Sequence, residues 1–204
     1  VLNPGFPDQE LDRLRKVYLA ALNQEKTQPL SMALRVMPGL LYGEGHPYAQ
    51  PLTGTGTEAS LAALSRGDLA AFHDTWFRPN HATLIAVGPV TPAELKPKLE
   101  RLFAGWEPGE IPVKQLGQAA TADSDVLYLL DRPGADQSVI FAGQLLPPAS
   151  APDNLAIKAM NDVLGGQFTS RLNMNLRENK NWSYGARTFV PDAKGPRALL
   201  AYAP

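Results

Sequence analysis

The stretch Gly165-Gly166-Gln167-Phe168-Thr169-Ser170-Arg171-Leu172-Asn173-Met174-Asn175-Leu176-Arg177-Glu178-Asn179-Lys180-Asn181-Trp182-Ser183-Tyr184-Gly185 decides the fold. Residues from about Asp153 to Leu164 read as a helix, and the glycine pair ends it, because glycine is a poor helix former and tolerates the turn that must follow. A short helix from about Ser170 to Arg177 is expected next, and then a strand from Trp182 to Val190. Asn181-Trp182-Ser183 fits a glycosylation sequon, a pattern too short to carry weight.

Working outward, strands are expected near Val126 to Asp131, Ser138 to Leu145 and Arg197 to Ala203. Before them, Glu107 to Asp125 mixes Pro, Gly, Gln, Thr and Ala without periodicity, as a linker does. This predicts units at 1–109 and 126–204 with a linker at 110–125. In the first unit, Leu11, Leu14, Val17, Tyr18, Ala21 and Leu22 recur at helical spacing from a cap at Asp8 until Pro29, and a second helix covers roughly Ser31 to Leu41. Ser65-Arg66-Gly67-Asp68 and Thr91-Pro92-Ala93-Glu94 have the spacing of capping boxes, each opening an amphipathic helix. The β-rich run His81 to Val87 lies between those helices, so the middle of the chain reads helix, strand, helix against one sheet. Val1 looks like an arbitrary beginning, so the chain reads as an excised piece, and a signal peptide would lie upstream.

Composition removes several classes of function. The 204 residues carry 19 basic and 20 acidic side chains for a net charge of −1, with no cluster of Lys and Arg to hold phosphates, so no nucleic-acid partner is expected. The longest apolar runs, Val126 to Leu130 and Val139 to Ala142, fall far short of the roughly 20 residues that cross a bilayer, so no membrane partner is expected. With no cysteine, disulfides, thiolate metal sites and Cys nucleophiles are excluded. A hydrolytic zinc site needs about three protein ligands and a water, and helical sites place two histidines four residues apart. Here His73 and His81 are eight apart with Pro79 between them, and His46 sits in a Gly/Pro loop. Neither a nucleophile elbow nor a full phosphate-binding glycine fingerprint is present, and Gly54-Thr55-Gly56 reads as a plain loop.

The quoted stretch resembles the pattern of the M16 (pitrilysin- and insulinase-like) zinc peptidases: two glycines, Ser-Arg-Leu, Leu-Arg-Glu, and a Tyr seven residues after that Arg. His46-Pro47-Tyr48, Gly54, Leu64 to Phe72, Arg78-Pro79-Asn80 and Val87-Gly88 look like the same family in the same order. The resemblance implies an α+β fold, LuxS/M16-metallohydrolase-like, with antiparallel-rich mixed sheets packed on one side by helices. Residues 1–109 would then be the later part of one domain and 126–204 the early part of a second. In that family two domains form a half, and two halves close around an unfolded peptide. Its zinc is held by His-x-x-Glu-His and by a Glu on a later helix, and that helix is similar to Leu11–Glu25. Anchored on Phe6 and Arg13, the ligand Glu falls at Ala21 and its companion Glu at Leu14, both apolar; an offset of four would bring Glu25 there instead.

The resemblance therefore implies a non-catalytic, C-terminal-type half that binds no cofactor itself and has no catalytic residue of its own, with zinc in a partner catalytic half. The family's Arg and Tyr pair maps onto Arg177 and Tyr184 as substrate-binding residues, toward a peptide substrate. An exported, periplasmic location and self-association through open strand edges such as Arg197 to Ala203 are further expectations. The alternative is a purely structural relative, like the family's non-peptidase core subunits in respiratory complexes.

Overall fold

A computed structural model describes residues 2–119 and 124–204; residues 120–123, inside the stretch expected to be a linker, lie outside the described residues. The chain forms α1 (Asp8–Glu25), α2 (Pro29–Tyr42), α3 (Glu58–Ala63), α4 (Arg66–Trp76), α5 (Pro92–Leu102), β1 (Ile140–Leu146), α6 (Asn154–Asn161), α7 (Arg171–Asn173), β2 (Arg187–Phe189) and β3 (Arg197–Ala203). It divides into two compact units, each built from two stretches: 1–19 with 58–115, and 20–57 with 116–204.

In the first unit local sequence signals set the helix starts. Ser65 and Asp68 cap α4 reciprocally, and Thr91 and Glu94 do the same for α5 with Pro92 at its first position, so donors without intrahelical partners are satisfied at each end. Asn80 brackets the chain at Gly109, donating Nδ2–H to its carbonyl at 2.8 Å and accepting its N–H at 3.1 Å, and the Trp106 indole donates to the Phe77 carbonyl. The expected strand at 81–87 is not realised. Pro79–His81 is a 3-10 turn, and residues 82–87 run without a ladder, leaving Ile85 and Val87 open to solvent. A strand exists only where a second backbone accepts and donates its hydrogen bonds, and the described residues supply none there.

The second unit holds the core. β1, β3 and β2 form a three-stranded antiparallel sheet in that order, with Gly143 opposite Leu200 and Phe189 opposite the same residue on the other side. The expected edge strand Arg197–Ala203 is thus the central one, bonded on both sides. Along β3 Ala198 and Leu200 point to one face and pack with Tyr42, Met37 and Leu41 of α2. Gly143 is needed on that face, since a Cβ there would lie 2.7 Å from the Met37 methyl and 3.1 Å from Leu41. Thr188, one residue from Phe189, points the opposite way, where Gly165 packs against it, so helical segments meet both faces and not one side only.

Arg197 is fully buried on β3, with Nε donating to the Pro147 carbonyl at 2.9 Å and a terminal nitrogen 3.1 Å from Asp192. His46, also buried, accepts the Tyr48 N–H at Nδ1 and stacks on Tyr42, whose hydroxyl donates to the Pro196 carbonyl just before β3. The run 126–131, expected as a strand, is unpaired, and Leu127 and Leu129 are each more than nine-tenths exposed. The other expected strands shorten: Trp182 to Val190 becomes Arg187–Phe189.

Candidate functional site

The motif contains two π-helical turns, Asp162–Gly166 and Met174–Asn179, a wide geometry that is rare and recurs at functional sites. The glycine pair belongs to the first of these and does not simply stop a helix. A Cβ on Gly165 would lie 2.5 Å from the Thr188 backbone nitrogen and 2.5 Å from its hydroxyl, so only a bare backbone lets the turn rest on β2.

The second π turn carries Arg177. It closes through Lys180 N–H to the Asn175 carbonyl and Trp182 N–H to the Leu176 carbonyl, and Asn181 leaves it at a φ of 52°. That left-handed conformation, which asparagine tolerates better than most residues, reverses the chain so that Trp182, Ser183 and Tyr184 follow at once. Arg177 and Tyr184 then line one open cleft of about 520 Å³, together with Asp136, Ile140, Asn181 and Trp182.

The Arg177 guanidinium lies 4.9 Å from the centre of the Phe168 ring, a cation–π arrangement. Its Nε is also 3.3 Å from Glu178, an exposed pair of little energetic weight. Tyr184 is 81% exposed and its hydroxyl makes no hydrogen bond among the described residues. The Lys180 ammonium sits 4.3 Å over the Trp182 ring. Chemically the cleft offers a phenol O–H and a forked guanidinium, both donors to a carbonyl or carboxylate oxygen.

The would-be metal helix offers nothing comparable. Ala21 and Leu14 on α1 are apolar, and Glu25 is occupied: Arg35 donates to its carboxylate at 2.7 Å and Thr55 at 2.8 Å. His73 stacks on Phe77, His81 lies 5.9 Å from Trp76, and His46 is enclosed by Tyr42 and Tyr48. Among the described residues no three His, Asp or Glu side chains gather as a metal site, so zinc does not fit the residues present. No helix among them is long and apolar enough to cross a membrane.

Sequence reasoning singled out Arg177 and Tyr184 and missed three neighbours. Phe168 and Asn173 were spacers inside the motif, and Trp182 was set aside with the sequon. Their only signal was a position within reach of the pair.

The described elements form an α+β fold with an open cleft beside the motif. The family profile described as "Peptidase M16 inactive domain" matches residues 63–204. An uncharacterized zinc protease of Mycobacterium leprae is 24% identical over the whole chain, which spans 45% of that relative; the chain is thus about half the length of the curated relatives it matches. A crystal structure of a peptidase M16 inactive domain from Pseudomonas fluorescens superposes with a TM-score of 0.84 at 24% identity, covering 98% of this chain and 48% of that one. A chain of complex III from Candida albicans superposes at 0.68 with 16% identity, over 93% of this chain and 45% of that chain. At these identities the structures establish the fold. The chain belongs to the M16 peptidase family, as a domain of its inactive type.

Proposed function

We propose that the chain is the non-catalytic, substrate-binding half of an M16-type zinc peptidase. It would complete a peptide-degrading chamber with a catalytic half, on the same polypeptide or on a separate subunit. The observation that carries this is that Arg177 and Tyr184, both exposed, line one cleft. Zinc, held by the catalytic half, would polarise the scissile carbonyl. This chain's part is then to donate the Tyr184 O–H and the Arg177 N–H groups to that oxygen as it gains charge. Residues 1–109 are the later part of one M16-type domain and 126–204 the early part of the next, in an exported, periplasmic peptidase.

The test is steady-state kinetics on the assembled peptidase with a melting curve as control. Tyr184→Phe should lower kcat by about 100- to 1000-fold, roughly 3 to 4 kcal/mol, with a smaller effect on KM, since the bond strengthens only in the transition state. Arg177→Lys should also be slow, because one ammonium cannot reproduce a planar fork of donors. The second reading, a structural subunit, is favoured by the likeness to a chain of complex III. Normal turnover in both variants would give it the argument.

A further inference from the structure

We infer that Asn173 is the positioning residue that sets Arg177 and Tyr184 in one arrangement, a role that rests on the reading of that pair as substrate-facing donors. Asn173 is only 4% exposed, at the end of α7, one turn before Arg177. Its Nδ2–H donates to the Phe168 carbonyl at 2.7 Å, and its Oδ1 accepts the Ala186 N–H at 3.1 Å. The first arm fixes the residue whose ring lies beneath the Arg177 guanidinium. The second fixes the backbone two residues beyond Tyr184, across Gly185. Gly185 is bracketed locally by Ser183, whose hydroxyl accepts its N–H at 3.1 Å and lies 2.7 Å from its carbonyl oxygen, while Ala186, 1% exposed, is the point at which Asn173 ties this turn to the motif helix.

One buried amide therefore spans the cleft's two functional side chains, and both of its polar groups are satisfied. An ionised Asp at this position would still accept from Ala186 but would turn a carboxylate toward the Phe168 carbonyl, disturbing the Arg177 arm alone. Leu would sever both arms while keeping the same branched heavy-atom skeleton.

Double-mutant cycles on the assembled peptidase, with a quenched fluorogenic peptide as probe, decide this. Asn173→Asp should lower kcat by roughly 10- to 100-fold, the cost of a small misplacement, with little change in KM. In an Arg177→Ala background that loss should vanish, because a group already removed cannot be misplaced, while in a Tyr184→Phe background it should persist. Asn173→Leu should lose its effect only when both partners are replaced. A merely structural Asn173 would lower the melting temperature and multiply with both variants in every background, which would overturn the role. Normal turnover in folded Asn173→Leu would also overturn it, and if that variant does not fold, the Asp cycle decides. Failure of the underlying reading is visible separately: Arg177→Ala and Tyr184→Phe alone would then turn over normally, and the positioning role would fall with it.

Discussion

Glu25 is the acid that an offset of four would have made a metal ligand, and its neighbours commit it to the fold. Burial pushes its carboxyl upward, but hydrogen bonds from Thr55, Arg35 and Thr53 and the charge of Arg35 outweigh that and hold it below the usual carboxylate range. A lowered folded-state value means stability that is fully present above the unfolded carboxylate range, about pH 4, and is lost as pH falls through the folded value. Glu25→Gln should therefore cost about 1–3 kcal/mol at neutral pH and flatten the fall in melting temperature between pH 5 and pH 3. An unchanged acid limb would contradict this. Asp192 follows the same sign: the Lys158 hydrogen bond first, and the charges of Lys158 and Arg197, hold its carboxyl low. None of this was legible, because Arg35 and Thr55 lie 10 and 30 residues from Glu25, as Ala186 lies 13 from Asn173. Arg177 and Tyr184 could be singled out from sequence because their signal is their own identity and spacing within one motif, and they line one cleft.

At the scale of elements, what is closed within four residues was readable. The boxes at Ser65 and Thr91 form as their spacing predicts, because cap and partner are neighbours in sequence. What depends on a distant backbone was not. The runs at 82–87 and 126–131 have strand composition but no ladder, and β3 occupies the centre of its sheet where an edge was expected. The glycine pair was read as a stop signal, while its real constraint comes from Thr188, more than twenty residues on. Gly165→Ala should therefore overpack the turn against β2 and cost about 1–3 kcal/mol, measured by urea unfolding. A variant as stable as the parent would show that the π turn has room the distances deny.

At the scale of the whole molecule, apolar surface is unevenly covered. No described residue of the unit 1–19 with 58–115 is fully buried, and in the other unit Leu127 and Leu129 stand in the open. Exposed apolar runs of strand composition associate with whatever edge is available, so copies of this chain should self-associate, and Leu127→Lys with Leu129→Lys should weaken that. Light scattering showing a strict monomer at high concentration would contradict it. The central claim is that this chain contributes donors to a peptidase whose metal chemistry lies elsewhere. It is tested most directly by metal analysis of the isolated chain after dialysis against zinc, with a peptide hydrolysis assay on the same sample. The account predicts no stoichiometric zinc and no hydrolysis by the chain alone, since Leu14 and Ala21 occupy the expected ligand positions and Glu25 is bonded to Arg35. One tightly held zinc per chain coordinated by His46, His73 or His81, or hydrolysis by the chain on its own, would contradict it.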